Sequence, residues 1–190
     1  YCVITSVDRD DLLDGGANFF AESIKRIRSK LPSCEIEVLV PDFQGSEPSL
    51  LTVINAMPNV INHNIETVER IFPQVRPKGN YSQSLSLLNQ VKKKSPRMVT
   101  KSGIMVGLGE ELEEILNTIY DLRSVGCDLL TVGQYLQPSQ KHFPMSRFYT
   151  PEEFDNIRVE AENLGFSNVA SGPLVRSSYR AGRQLHSTFL

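Results

Sequence analysis

Short apolar runs alternate along the chain with longer segments in which apolar and polar residues are mixed. The short runs are rich in Val and Ile and are bounded by Pro, Gly, Asp or Asn, as is typical of β-strands. In the longer segments, apolar residues recur every three or four positions, which is typical of amphipathic helices. The pattern predicts strands over Tyr1–Val7, Glu35–Val40, Asn59–Asn64, Met98–Val106, Asp128–Tyr135 and Ser167–Ser171, and helices over Ala17–Leu31, Ser46–Met57, Tyr81–Lys94, Glu111–Val125 and Pro151–Leu164.

Residues at the helix ends support these assignments. Thr150 precedes Pro151 and two acidic residues, the order expected for an N-cap and a first helical turn. Gly126 and Gly165 stand where helix C-caps are expected. The first helix has one apolar stripe that we expect to face the core, made of Phe20, Ile24, Ile27 and Leu31.

The order of the elements predicts the fold class. Strands and helices alternate with a repeat of roughly 25–40 residues, which predicts parallel βα units. Because no glycine-rich dinucleotide turn is present, we expect an α/β fold that is a partial (β/α) barrel with outer helices rather than a Rossmann sheet. The long strands are expected to be apolar on both faces. We assign residues 1–172 to the barrel and 173–190 to a C-terminal tail that, from Arg176, is polar, basic and without periodicity.

Composition narrows the classes of function. The chain has 190 residues and is 40% hydrophobic, so a packed core is expected. Its net charge of -2 does not indicate a nucleic-acid partner. No apolar run approaches the roughly 18 residues of a membrane-spanning helix. The cysteines Cys2, Cys34 and Cys127 are too far apart for a metal-binding pair and are odd in number, which favours free, reduced thiols.

In a parallel α/β fold, function lies at the C-terminal ends of the strands. The first strand is followed by Asp8, Asp10, Asp11 and Asp14, which could ligate a metal or form a solvated loop that caps the next helix; both interpretations stay open. The adjacent pair Gly15 and Gly16 allows a ligand to approach the backbone or makes a tight turn.

The third strand ends in polar side chains. Asn64 and Glu66 could bracket a ribose diol, while His63 is more often a structural histidine than a ligand. Arg76 and Lys78 could bind an anion or be ordinary loop charges.

Two later strand ends and the tail carry further candidates. The fourth strand contains Gly103, Gly107 and Gly109, and missing side chains there could leave room for a flat ring, with Glu110 at a helix start. Gln134 and Tyr135 end the next strand. Ser177 and Ser178, between two arginines, suit contact with an anion or a metal cluster, or are merely polar. No nucleophile elbow, HExxH or P-loop motif is present.

Seven segments occur together in the order of one known family. The segments are TSVDRDDLLDGGA, VLVPDFQG, NHNIET, VRPKGNY, TKSGIMVGLGE, LLTVGQYLQPSQKH and SGPLVRSSYRAG. Through them the chain resembles the lipoyl synthases, which are radical S-adenosylmethionine (SAM) enzymes. The stretch from Gly103 to Glu110 also resembles the GxIxGxxE adenine-binding pattern, with Met105 in place of Ile. The resemblance implies a partial barrel of the radical SAM type.

It also implies a reaction. A four-iron four-sulfur cluster reduces SAM to a 5′-deoxyadenosyl radical, which abstracts hydrogen from C6 and C8 of an octanoyl chain, and an auxiliary cluster donates two sulfurs. The implied partners are octanoylated carrier domains (the E2 subunits of 2-oxoacid dehydrogenases and the H protein of glycine cleavage) and an electron donor such as ferredoxin or flavodoxin, with no nucleic acid or membrane. The implied compartment is the cytoplasm in bacteria, or the mitochondrion or plastid in eukaryotes.

The resemblance further assigns roles to residues of this chain. A serine is expected to ligate an iron of the auxiliary cluster, and either Ser177 or Ser178 fits. Arg176 would orient that segment, and the Gly15–Gly16 pair matches the family's GGA form of the motif that holds the SAM amino group. The residues expected to contact SAM are Asn64, Glu66, Lys101, Ser102, Gly103, Gly107, Glu110, Gln134 and Tyr135.

One departure from the family is large. Its two cysteine triads, CxxxxCxxxxxC and CxxxCxxC, precede the first shared segment and are not in this sequence. We therefore expect a truncated chain that holds neither cluster and is inactive alone. Two alternatives remain: a non-catalytic binding module for octanoylated carrier proteins, and an unrelated α/β barrel that binds a divalent metal with its Asp8–Asp14 loop.

Overall fold

The structure, a computed structural model, describes residues 1–186 and contains one sheet of six parallel strands. The strands pair in chain order, so β1 and β6 are the two edges and the sheet is an open, partial barrel. This confirms the predicted fold class. The strands are β1 (Cys2–Thr5), β2 (Ile36–Leu39), β3 (Val60–Asn62), β4 (Val99–Val106), β5 (Leu129–Gln134) and β6 (Asn168–Gly172).

The helices alternate with the strands, and five of them match the sequence prediction closely. A 3-10 turn at Phe43–Gly45 and two short helices, α3 and α7, were not predicted. None of the helices described is long and apolar enough to cross a bilayer. The helices are α1 (Ala17–Lys30), α2 (Glu47–Asn55), α3 (Phe72–Val75), α4 (Tyr81–Lys94), α5 (Leu112–Ser124), α6 (Pro151–Asn163) and α7 (Ala181–His186).

The stripe predicted for α1 is correct except at its end. Phe20 and Ile24 are buried and Ile27 packs against the core, but Leu31 is 59% exposed because the helix stops at Lys30. The cap predicted for α6 is confirmed: the Thr150 hydroxyl accepts a hydrogen bond from the Glu153 backbone N–H. Gly126 and Gly165 follow α5 and α6 in the left-handed conformation, as expected of helix ends.

The two faces of the sheet differ. Val38, Ile61 and Val132 lie on the outer face, in the core that the helices cover. Alternate residues of the strands face inward, and these include Glu37 of β2 and Lys101 of β4, both fully buried. The prediction that the long strands are apolar on both faces is therefore wrong for the inner face.

The tail after β6 returns along this inner face. Leu185 of α7 packs against Val60, Val99 and Leu129, the first inward residues of β3, β4 and β5. The tail, predicted only to be polar, basic and without periodicity, thus contains a short helix that buries Ala181 and Leu185. The last part of the predicted tail, residues 187–190, lies outside the described residues.

Helix α6 should depend on Phe154, which is 1% exposed. We expect Phe154→Ala to lower the free energy of unfolding by about 3–5 kcal/mol, because it leaves a cavity between helix and sheet. Phe148→Ala is the matched control, since Phe148 is 65% exposed and its loss should cost less than about 0.5 kcal/mol. Urea titration measures both variants, and equal losses would contradict the packing described.

Candidate functional site

A cavity of about 780 Å³ opens at the C-terminal ends of the strands. Its walls come from the segments after β1, β2, β3 and β5, and from the loop of residues 137–143. Leu39, Val75, Met105 and Phe143 supply part of its apolar wall. The polar side chains that line it include His63, Asn64, Glu66, Arg76, Gln134 and Arg176.

Asn64 and Glu66 lie on a short segment that continues β3. Glu66 has a left-handed backbone (φ 68°), and its N–H donates to the Gly103 carbonyl at 3.0 Å while its own carbonyl accepts from Met105 N–H at 2.8 Å. The turn that this conformation makes is therefore fixed by two hydrogen bonds to β4. It places both polar side chains in the cavity wall.

The side chains of Asn64 and Glu66 differ in their electrostatic surroundings and in their hydrogen-bond partners. Burial raises the pKa of Glu66, and Arg76 and a hydrogen bond from Asn64 oppose part of that rise. The Asn64 Oδ1 atom is buried and has no donor among the described residues. Because a buried acceptor without a partner is costly, this atom fits a ligand that brings a hydroxyl donor.

His63 has a structural role. Its Nδ1 lies 2.9 Å from the Val40 carbonyl and its Nε2 lies 3.0 Å from the Ser84 hydroxyl. The carbonyl only accepts, so Nδ1 carries the proton, and burial lowers the pKa of the ring. The structural interpretation of His63 is confirmed: the ring joins β2 to α4 beneath the Asn64–Glu66 segment.

Gly103 of β4 and Gly107, just after β4, make room for other side chains of the protein. A Cβ atom at Gly103 would lie 2.7 Å from Thr131 Oγ1 and 2.8 Å from Asn64 Oδ1. One at Gly107 would collide with the Gln134 side chain. The structure thus fills, with protein atoms, space that the sequence suggested for a flat ring.

Glu110 closes the turn after β4. Its carboxylate accepts hydrogen bonds from the N–H groups of Gly107 at 2.7 Å and Leu108 at 2.8 Å. Glu110 does not line the cavity, so its contribution there is to fix the backbone of this turn.

Gln134 and Tyr135 line the cavity, but their polar atoms are hydrogen-bonded to the segment that follows β5. Gln134 accepts from Tyr149 N–H and donates to the Arg147 carbonyl, both at 2.9 Å. The Tyr135 hydroxyl donates to the Phe143 carbonyl at 2.7 Å. The loop that covers one side of the cavity is therefore tied to the end of β5.

Lys101 and Ser102 lie below the cavity and do not line it. The Ser102 hydroxyl donates to the His63 carbonyl at 2.9 Å and accepts from Ile65 N–H at 3.1 Å, which fixes the segment after β3. The Lys101 ammonium faces Glu37 and the Ser177 carbonyl. In the tail, Arg176 lines the cavity, whereas Ser177 is partly buried, Ser178 is exposed, and neither serine lines it.

The acidic loop after β1 forms no metal site. Asp14 accepts hydrogen bonds from the N–H groups of Gly16 at 3.0 Å and Asn18 at 2.9 Å, which confirms a capping role at the start of α1. Asp11 is paired with Arg9 at 2.6 Å. Gly15 and Gly16 have φ values of 58° and 85° and form a tight turn outside the cavity. Within residues 1–186, no cluster of His, Cys, Asp or Glu could hold a metal ion.

The three thiols do not form a cluster site either. Cys2, Cys34 and Cys127 are all free and lie on β1, before β2 and before β5 respectively. Cys127 is fully buried, and burial raises the pKa of its thiol. A four-iron cluster needs several thiolates together, so the described residues do not fit one, whereas the unpaired Asn64 acceptor fits a SAM ribose.

Two features of the site were missed in the sequence. Glu37 joins the buried polar layer below the cavity, and its signal was a charged residue inside the apolar run Glu35–Val40. The loop of residues 137–143 forms a wall of the cavity, and its sequence, QPSQKHF, gave no sign of where it would fold.

The comparisons with known proteins agree with this geometry. The model of the radical SAM superfamily matches residues 1–122, and the chain belongs to that superfamily. Among solved structures, it is similar to methylornithine synthase (TM-score 0.64, 15% identity, covering 93% of this chain and 58% of that one). It is also similar to a domain of a pyruvate-formate lyase-activating enzyme from Bacteroides vulgatus (TM-score 0.65, 11% identity, covering 89% and 98%). These two likenesses support the fold alone.

Among curated proteins, the chain is similar to lipoyl synthases. It is 54% identical to the lipoyl synthase of Alkaliphilus metalliredigens over 185 residues, which are 97% of this chain and 64% of that protein. It is 54% identical to the lipoyl synthase of Rubrobacter xylanophilus over 97% of this chain and 57% of that protein. The chain thus spans about three-fifths of the length of these relatives. The superfamily implies SAM and a four-iron four-sulfur cluster as cofactors.

The raised pKa of Glu66 predicts a pH dependence of stability. The folded chain binds the Glu66 proton more tightly than the unfolded chain, whose carboxyl titrates near 4.5. Above that pH, the wild-type free energy of unfolding should therefore fall relative to that of Glu66→Gln, until the folded carboxyl has ionised. Urea titrations from pH 4 to 8 measure the difference, and parallel curves for the two proteins would contradict it.

Proposed function

We propose that this chain is the SAM-binding barrel of a lipoyl synthase, which inserts two sulfur atoms into a protein-bound octanoyl chain. The observation that carries the proposal is the 54% identity to lipoyl synthases over 97% of the chain. The cavity supports it, because Asn64 and Glu66 of the NHNIET segment lie together in its wall.

In the proposed complex, Asn64 and Glu66 bind the ribose hydroxyls of SAM. A hydroxyl can donate to the unpaired Asn64 Oδ1, and another can donate to the Glu66 carboxylate. When bound with its reduced cluster, SAM supplies a radical that abstracts hydrogen from carbon. The chain's own part is to orient the nucleoside through the segment held by His63 and Ser102, and to exclude water with the loop of residues 137–143, which is tied to Tyr135.

The octanoyl chain is proposed to lie on the apolar part of the cavity wall. Met105, whose N–H donates to the Glu66 carbonyl, and Phe143 belong to this wall. The proposed substrates are octanoylated E2 subunits and glycine cleavage H protein, with ferredoxin or flavodoxin as electron donor. Two iron–sulfur clusters belong to the proposed complete enzyme, with Ser177 or Ser178 as a ligand of the auxiliary one. The relatives are bacterial proteins, which favours a cytoplasmic reaction.

SAM binding by this chain tests the nucleoside site. Isothermal titration should show saturable binding, and Asn64→Ala or Glu66→Gln should weaken it about tenfold or more, because the first removes a hydrogen bond to a hydroxyl and the second replaces a charged acceptor by a neutral one. The matched control is Glu69→Gln, the same chemical change three residues away at an exposed position. No saturable binding by wild type, or equal loss in the control, would contradict the proposal.

A pair of peptides tests the substrate class. A labelled peptide with octanoyl-lysine should bind at least about tenfold more tightly than the same peptide with acetyl-lysine. The octanoyl chain is longer by six methylenes, and each one that is fully buried contributes about 0.8 kcal/mol to binding. Met105→Gln should reduce that preference by making the apolar wall polar. Fluorescence anisotropy in the presence of SAM measures both, and equal affinity of wild type for the two peptides would argue against an acyl site.

A further inference from the structure

A buried charged pair lies on the inner face of the sheet, below the cavity. Lys101 of β4 and Glu37 of β2 are both 0% exposed, and their Nζ and Oε1 atoms are 3.2 Å apart. Glu37 also accepts from Asn62 Nδ2 at 3.0 Å and from the Tyr1 hydroxyl at 2.7 Å. The carboxylate is therefore well satisfied by three different parts of the chain.

Such a pair is not explained by stability alone. Taking two charges out of water costs several kcal/mol, and an apolar pair of similar volume is often as stable or more so. Burial lowers the pKa of Lys101, while the neighbouring Glu37 carboxylate opposes that change. The pair must therefore be judged by what else it contacts.

Lys101 has one further partner, and it belongs to the tail. The ammonium donates to the Ser177 carbonyl at 2.5 Å, across 76 positions of sequence. A hydrogen bond from a charged donor is among the stronger ones in proteins. The contact fixes the backbone between Arg176, which lines the cavity, and Ser178.

The same segment also lies directly against β5. A Cβ atom at Gly133 would collide with the Val175 carbonyl oxygen, so the tail backbone packs where any larger residue would place a side chain. Gly133 has no positive φ, and its small size is therefore used for this close approach. Two independent contacts, one electrostatic and one steric, hold residues 175–177.

We propose that Lys101 is a positioning residue: paired with Glu37, its ammonium fixes the Arg176–Ser178 segment on the inner face beneath the cavity. Its value for catalysis rests on the proposed function, in which a serine of this segment meets the auxiliary cluster. The anchoring itself does not depend on that function.

A competing explanation is that packing of α7 alone holds the tail. Leu185 contacts Val60, Val99 and Leu129 at the far end of the segment, without help from Lys101. The two explanations differ once the charges are removed, because only the first predicts that the tail then opens locally.

The decisive variant is Lys101→Met combined with Glu37→Gln. The single Lys101→Met would leave a buried unpaired carboxylate and lower the stability of the whole fold. In the double variant no charge is left unpaired, and the glutamine retains polar atoms for Asn62 and Tyr1. We expect a thermal midpoint near that of wild type, with amide hydrogen exchange over residues 175–184 about tenfold faster or more, and unchanged exchange in β4 and β5.

Gly133→Ala tests the second contact without altering any charge. It should also accelerate exchange over residues 175–184, because the new methyl displaces the Val175 carbonyl. The matched control is Gly172→Ala, at the position that pairs with Gly133 on β6. Its Cβ would make an ordinary 3.5 Å contact with Val175 Cγ2, so exchange should remain as in wild type.

Wild-type exchange of the tail in the double variant would overturn the proposal in favour of packing by α7. A uniform rise in the exchange rate across the tail and β4 would also overturn the proposal, since the charged pair would then stabilise the fold as a whole. SAM titration of the wild type, done in parallel, distinguishes failure of the proposed function from failure of the proposed role of Lys101. If SAM does not bind, the proposed function is wrong, but the exchange result still tests whether Lys101 anchors the tail.

Discussion

The site depends on one constraint, the parallel order of six strands in a single sheet. Parallel strands end at the same edge, so residues that follow β1, β2, β3 and β5 meet around one cavity although they are far apart in sequence. The same order makes every second side chain face inward, where helices do not cover it. The inner face must then be filled by the chain itself, and the tail after β6 fills it.

The strands and long helices were predictable because their apolar spacing is a local property. Tyr81–Lys94 was predicted to the residue, and Asn64 and Glu66 were placed at the cavity because strand ends meet there. The use of Lys101 was not predictable, because it depends on Glu37 and on Ser177, two residues remote in sequence. Helix α7 was missed for a similar reason: its apolar residues are few, and Leu185 is buried by residues of β3, β4 and β5 that are remote in sequence.

Some polar residues around the cavity are available to contact a ligand, and others support the backbone of its wall. Asn64 has an acceptor without a partner, whereas the polar atoms of His63, Ser102 and Glu110 are hydrogen-bonded to other groups of the protein. Groups that are fully hydrogen-bonded within the protein cannot also bind a ligand without losing a partner. The free acceptor of Asn64 therefore distinguishes it from these three residues, a distinction that sequence motifs do not make.

Gly107, in the turn after β4, leaves the space that the side chain of Gln134 occupies. The Gln134 amide occupies the volume that a side chain at Gly107 would need, and from there it bridges to Arg147 and Tyr149. A change at either position would thus disturb three parts of the chain: the segment that contains Arg147 and Tyr149, the turn after β4 and the end of β5. A side chain at position 107 would also meet the Arg147 carbonyl oxygen at 2.6 Å, so a sequence that gains one must change both the glutamine and the path of the backbone at residue 147.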